Sequence, residues 1–237
     1  LTNYNTEIET HAVRTLIAKQ VDGILLTVAD VQNSEGLNLI RSRELPHSLL
    51  FNEAPAGQVN WSVGDHAAAA MVADVFAKNK HTNTGFLALN FLNSDRSRQR
   101  YEGFAERCSQ NEMAAPALLE VGDDGLDLTV RLKNFLVDHP SLTAIFASND
   151  FLALATIRSA RKLSISVPKD LSIVGFDGIK VGQMVEPSLA TIKTVPRTLG
   201  AGASQTILSM INGTEPPTVP VEEKRFSFRA GGSLMPL

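Results

Sequence analysis

The chain has 237 residues, 43% of them hydrophobic and 20% charged, enough for a sizeable buried core in one large domain or two modest ones. With a net charge of −3 and a pI near 6.0 nothing reads as a nucleic-acid patch, which needs clustered Lys and Arg and a high pI, and a single cysteine, Cys108, excludes an internal disulfide. No apolar run approaches the ~18 residues of a membrane helix, and the opening LTNYNTEIE has neither the basic nor the apolar region of a signal peptide.

In chain order, Ile24–Val28 (ILLTV) and Ser48–Phe51 (SLLF) are short apolar runs that read as strands. An alanine-rich helix follows over about Gly64–Lys78, then a strand at Thr84–Leu89 (TGFLAL). Arg96–Ser109 carries the clearest helical pattern: Tyr101, Phe104, Ala105 and Cys108 fall on one stripe, with Ser94 or Asp95 to cap its start. Ala117–Glu120 (ALLE) and Ala144–Ala147 (AIFA) read as strands, Phe151–Arg161 as a helix, and Ser172–Phe176 (SIVGF) and Leu189–Ile192 (LATI) as strands. Over Pro196–Ile211 a proline stands at the first helical position. Leu199, Ala203, Ile207 and Met210 share one face there, and Asn212-Gly213 is the stop. Gly213–Pro220 is a proline-rich connector, and Glu222–Phe228 reads as a late strand with one charged side.

Strands alternating with helices imply parallel sheet covered on both faces, and the strands are continuous apolar runs, as doubly covered sheet requires. Ligands of such sheets bind beyond the carboxyl ends of the strands. Three strand ends are polar here: SDRSRQR (Ser94–Arg100) after TGFLAL, Asn149-Asp150 after AIFA, and Asp177 with Gly178 after SIVGF. Asn both donates and accepts, Asp accepts, and Arg donates through a planar fork, a set that suits adjacent hydroxyls.

Each of these residues also has a plainer reading. Asp177 caps the next turn, Asn149-Asp150 caps the helix after it, and Arg100 is solvated or pairs with Glu102 or Asp95. If Asn149 and Asp150 divide the work, Asp150 caps and Asn149 reaches the ligand. Arg96 and Arg98 are surface charges or, at a helix start, an anion site. Trp61 either packs or stacks on a sugar face, and Phe151 is a candidate to line a pocket. The five histidines have no metal spacing, Cys108 falls on the buried stripe, and GAGAS (200–204) lies inside a helix with no strand before it. Neither a nucleophile elbow nor a phosphate loop is present, so catalysis is not expected, nor is a cofactor or a metal.

The stretches VDGILL (21–26), RQRYEGF (98–104), ASNDFLALATIRSARKLSISVPKDLSIVGFDG (147–178) and PSLATIKTVPRTLG (187–200) make the chain resemble the effector-binding core of the lactose/galactose-repressor family of bacterial transcription regulators. That core shares its fold with periplasmic sugar-binding proteins. The resemblance implies two similar α/β subdomains, each a doubly wound parallel sheet, around a ligand cleft. The expected division is 1–90 plus 195–217 and 91–194 plus 218–237. By the same resemblance Arg100 holds a hydroxyl, ring oxygen or acidic group, and Asn149 and Asp177 hydrogen-bond hydroxyls. Further contacts come from around Arg96 and from Thr194, where many members carry glutamine.

The sequence departs from the family at Gly178, where an aspartate is common, at Asn60-Trp61 in place of Asp-Asn, and at Lys80-His81 in place of Gly-His. MVEPSLATIKTVPR and the ending AGGS are similar to regulators of gluconate-type sugar acids. The family also carries a helix-turn-helix domain, a hinge helix and a first core strand ahead of the core, so LTNY is expected to open the second core strand. The function implied is the effector-binding and dimerisation domain of a cytoplasmic, homodimeric repressor. Its operator affinity would be set by a sugar, sugar acid or phosphorylated sugar, with no membrane partner. The alternative is a periplasmic sugar-binding receptor.

Overall fold

The computed structural model describes residues 2, 5–55, 58–89, 91, 94–122 and 127–237, the side chain of residue 223 excepted. Of the opening LTNY, Leu1, Asn3 and Tyr4 lie outside the described residues. In chain order the first elements are α1 (Thr6–Ala18), β1 (Ile24–Leu26), α2 (Glu35–Ser42), β2 (His47–Phe51), β3 (Trp61–Ser62), α3 (Asp65–Lys78), β4 (Thr84–Leu89) and α4 (Asp95–Gln110). There follow β5 (Ala117–Val121), α5 (Leu128–Asp138), β6 (Ala144–Ala147), α6 (Asp150–Lys162), β7 (Ser172–Asp177), β8 (Ala190–Thr194), α7 (Pro196–Asn212) and β9 (Phe226–Arg229). The late strand is shorter than expected, because Glu222–Lys224 forms a 3-10 turn before it.

The chain divides into two compact units. One is Leu1–Gly64, Leu92–Arg96 and Val195–Arg225; the other is Asp65–Phe91, Ser97–Thr194 and Phe226–Leu237. The expected division instead kept residues up to 90 with the first unit. β4 pairs with both β5 and β6, which ties it and the preceding α3 to the second unit.

The first unit holds a three-stranded parallel sheet in the order β1-β2-β3. Its helices start on side-chain caps: Asn5 accepts from the Ile8 amide and Ser34 from the Leu37 amide. α7 starts on Pro196 and ends at Gly213, whose φ of 65° is the left-handed geometry that closes a helix. Leu199, Ala203 and Ile207 are buried as the pattern predicts, but Met210, in the last turn, is 49% exposed. Gly202 lets α7 press onto β3, since a Cβ there would fall 2.1 Å from the Trp61 ring. Trp61 is 2% exposed and donates from Nε1 to Thr206 Oγ1 at 2.9 Å. Its ring is spent on packing, which corrects the stacking alternative.

The second unit holds a six-stranded sheet in the order β5-β4-β6-β7-β8-β9, parallel throughout except for β9. Side chains alternate across it. Leu87, Ile145 and Ile173 point to a face covered with Leu132, Phe135 and Ile157. Phe86 and Phe146 join Phe76, Phe104 and Phe176 in an aromatic layer, with Phe86 and Phe146 edge-on at 5.1 Å. Cys108 is fully buried on the same α4 stripe, and burial pushes its thiol up to about 11.

Candidate functional site

β6 and β7 run parallel in the register Ala144↔Ser172, Ile145↔Ile173, Phe146↔Val174. The same offset carried forward sets Asn149 level with Asp177, one past the end of each strand's buried run. The guanidinium of Arg100 reaches both strand ends. Its Nη1 donates to the Ser148 carbonyl, and its Cζ lies 3.7 Å from the centroid of the Phe176 ring. Ser148 and Phe176 are the residues directly before Asn149 and Asp177, so Arg100 contacts the neighbour of each at the carboxyl ends of two adjacent strands.

The stretch RQRYEGF builds this arrangement locally. Phe104 is buried in the aromatic layer, and Gly103 lets α4 lie directly against the start of α3: a Cβ there would fall 2.2 Å from the His66 carbonyl oxygen. That close approach brings Arg100 Nε onto Asp65 Oδ1. Asp65 is fully buried, and its Oδ2 has no hydrogen-bond partner among the described residues. Arg100 therefore pairs with the Asp65 carboxylate, a partner the sequence reading did not name. Arg98 takes the surface reading, 4.0 Å from Glu102.

Asn149 is itself the N-cap of α6, accepting from the Leu152 amide at 2.8 Å. Its Oδ1 is thus engaged, and its Nδ2 is the group left to donate outward. Asp150 does not cap, contrary to the expected division of labour. It is fully buried, accepting from the Ile179 amide at 2.7 Å and from the Thr191 hydroxyl. Gly175 makes room for it, since a Cβ there would sit 2.3 Å from Asp150 Oδ1. Burial raises the pKa of Asp150, against the Thr191 and backbone bonds and the charge of Arg229.

Asp177 ends β7 at φ 111°, a backbone region uncommon for any residue but glycine, and Gly178 follows at φ 76°. Thr194 is 8% exposed, and its hydroxyl donates to the Asp177 carbonyl at 3.2 Å. Phe151, in the first turn of α6, is 70% exposed. Arg96 belongs to the first unit, its Nε 3.8 Å from Asp95 Oδ1. Asp95 is buried and accepts from Asn52 Nδ2 and from the Val31 amide at 3.3 Å. Burial raises its pKa, opposed first by the charge of Arg96. Among the described residues no group of three or more His, Cys, Asp or Glu is placed to hold a metal ion.

Residues 73–233 match the family of periplasmic binding protein-like domains. The chain belongs to that family. Within it, this periplasmic binding protein-like domain is related to transcription regulators. It is 26% identical over 215 residues to the HTH-type transcriptional regulator IdnR of Escherichia coli K12, covering 90% of this chain and 64% of that protein. It is 35% identical over 113 residues to the ribose operon repressor of Halalkalibacterium halodurans, covering 47% of this chain and 34% of that protein. The chain thus spans less than two thirds of the length of either relative. A LacI family transcriptional regulator from Silicibacter pomeroyi has the same fold, with a TM-score of 0.81 at 20% identity over 99% of this chain and 86% of that one. The expected resemblance to the lactose/galactose-repressor core is borne out.

Sequence reasoning named Arg100, Asn149 and Asp177, and Asp150 only as a cap; it did not single out the buried Asp65 or the half-buried Arg229. The pair Asn149-Asp150 held one signal: an ionisable side chain directly after a fully apolar strand, if buried, needs hydrogen-bond donors, and Asp150 has them in Ile179 and Thr191.

Proposed function

We propose that this domain binds the small effector of a bacterial transcription repressor and helps form its dimer. The effector is a sugar, sugar acid or phosphorylated sugar. The observation that carries this reading is the bridge of the Arg100 guanidinium from Ser148 to Phe176, directly beside Asn149 and Asp177. In this reading the Asp177 carboxylate accepts from ligand hydroxyls, Asn149 Nδ2 donates to one, and Arg100 supplies the positive potential that favours an oxygen-rich or anionic group. Phe151 offers an exposed ring beside Asn149, and Thr194 supports the Asp177 end.

The relatives support regulation over transport, since both are named as transcriptional regulators or repressors. Operator DNA is then bound by a part of the whole protein outside these residues, in a cytoplasmic homodimer. Effector and operator shift each other's affinity by the same factor, ~5–150-fold for a coupling of ~1–3 kcal/mol. No helix among the described residues is long and apolar enough to cross a membrane.

Thermal unfolding of the 237-residue chain with D-ribose, D-gluconate or D-glucose 6-phosphate tests the reading. At ~100 times Kd, binding adds ~2.7 kcal/mol, a rise of several degrees in Tm. No shift with any of the three overturns the sugar assignment.

A further inference from the structure

Asp177 sits in a backbone geometry that side-chain-bearing residues avoid, so something must hold it there. The Gly178–Ile179 peptide that follows is gripped from two sides by opposite charges. From α6, the buried Asp150 carboxylate accepts the Ile179 amide at 2.7 Å. From β9, Arg229 donates through Nη1 to the Gly178 carbonyl at 3.3 Å and through Nη2 to the Ile179 carbonyl at 3.4 Å. Asp150 is in turn held by the Thr191 hydroxyl on β8. Gly178 fits against Lys193, whose Cα a Cβ there would approach to 2.7 Å. The Thr194 hydroxyl adds a bond to the Asp177 carbonyl.

We infer that Arg229 and Asp150 are positioning residues that fix the turn after β7 and thereby aim the Asp177 carboxylate, with Thr194 acting through the Asp177 backbone rather than on the ligand. Neither Arg229 nor Asp150 need touch an effector. The charges of the clamp, Asp150 on α6 and Arg229 on β9, lie 79 positions apart in the chain, and they act on a peptide that has no side chain of its own at Gly178. The importance of the clamp for recognition rests on the proposed role of Asp177, but its existence does not.

Amide hydrogen exchange on the whole chain separates the two. In Arg229→Met the Ile179 amide should lose protection at least tenfold. The Ile173 amide, bonded to the Ser233 carbonyl at 2.7 Å in the middle of the same strand system, should stay within threefold. Arg229→Lys, which keeps the charge, should recover part of the loss. Thr191→Val, which removes a donor to Asp150, carries the same expectation if Arg229→Met does not fold, and Thr191→Ser should restore protection. Equal loss at Ile173 and Ile179, or no loss at Ile179, overturns the clamp. With D-gluconate as probe, Arg229→Met should raise the half-maximal concentration about tenfold in the wild-type background and cause no further change in Asp177→Ala. An additive loss overturns action through Asp177. A wild-type chain deaf to D-gluconate, D-ribose and D-glucose 6-phosphate overturns the sugar reading, while exchange still decides the clamp.

Discussion

Arg100 donates from Nε to Oδ1 of Asp65, a carboxylate 35 positions earlier in the chain and wholly buried. The pair forms because Gly103 removes the bulk that would keep α4 off the start of α3. A guanidinium that is 12% exposed, over a phenylalanine ring, needs that countercharge.

Asp65→Ala leaves the Arg100 charge buried and uncompensated and should cost ~3–5 kcal/mol. Asp65→Asn keeps an acceptor for Nε and should cost less. Urea unfolding midpoints at constant m-value measure both.

Two glycines of α7 should respond in opposite directions. Gly200 has nothing within 4 Å of a built Cβ, so Gly200→Ala should stabilise by up to ~1 kcal/mol through helix propensity. Gly202→Ala drives a methyl into the Trp61 ring and should destabilise by ~1–3 kcal/mol. Thermal unfolding of the two variants checks the pair.

His81 gives the fold a pH dependence. It is 1% exposed, with Nε2 on the Met235 carbonyl at 2.9 Å and Nδ1 on the Thr143 hydroxyl at 3.0 Å. The carbonyl fixes the proton on Nε2, so Nδ1 accepts. Burial lowers its pKa below 6.5, against the Met235 bond. The unfolded chain therefore binds the proton first, and stability present above pH ~6.5 is lost as pH falls from there toward the folded-state pKa. The slope from this one group is at most ~1.4 kcal/mol per pH unit. Tm measured from pH 7.5 to 5.5 should fall for the wild type, and His81→Gln should flatten that part of the curve.

Cys108, buried with its thiol pushed up to about 11, should resist iodoacetamide at pH 7.5 in the folded chain and react fully once unfolded.

Much of the fold was legible because its strands are local signals. TGFLAL, AIFA and SIVGF are apolar runs bounded by turn residues, and the structure places strands on them with ends shifted by at most one residue. The positions of two residues of the proposed site were legible for the same reason: Asn149 and Asp177 lie at the carboxyl ends of two of those runs. The departures from the family also have local causes. Lys80, where the resemblance leads one to expect glycine, occupies φ 66°, a left-handed geometry that costs a side chain ~1–2 kcal/mol. Gly178, in place of an aspartate, sits at φ 76°. What the sequence hid is long-range pairing. Asp65 with Arg100, Asp150 with Thr191, and Arg229 with the turn after β7 join residues no periodicity links. The same holds for Trp61, whose burial depends on Gly202 and Thr206 in a helix that returns late in the chain.

The measurement closest to the centre is calorimetric titration of the wild-type chain and of Asp177→Ala with D-gluconate, D-ribose and D-glucose 6-phosphate. Loss of charge-assisted hydrogen bonds worth ~1.5–3 kcal/mol should weaken the binding of whichever of these the wild type takes up by tenfold or more, with the unfolding midpoint of the free chain little changed. Equal affinity of the two proteins for that compound would contradict the assignment of the β6–β7 edge as the effector site.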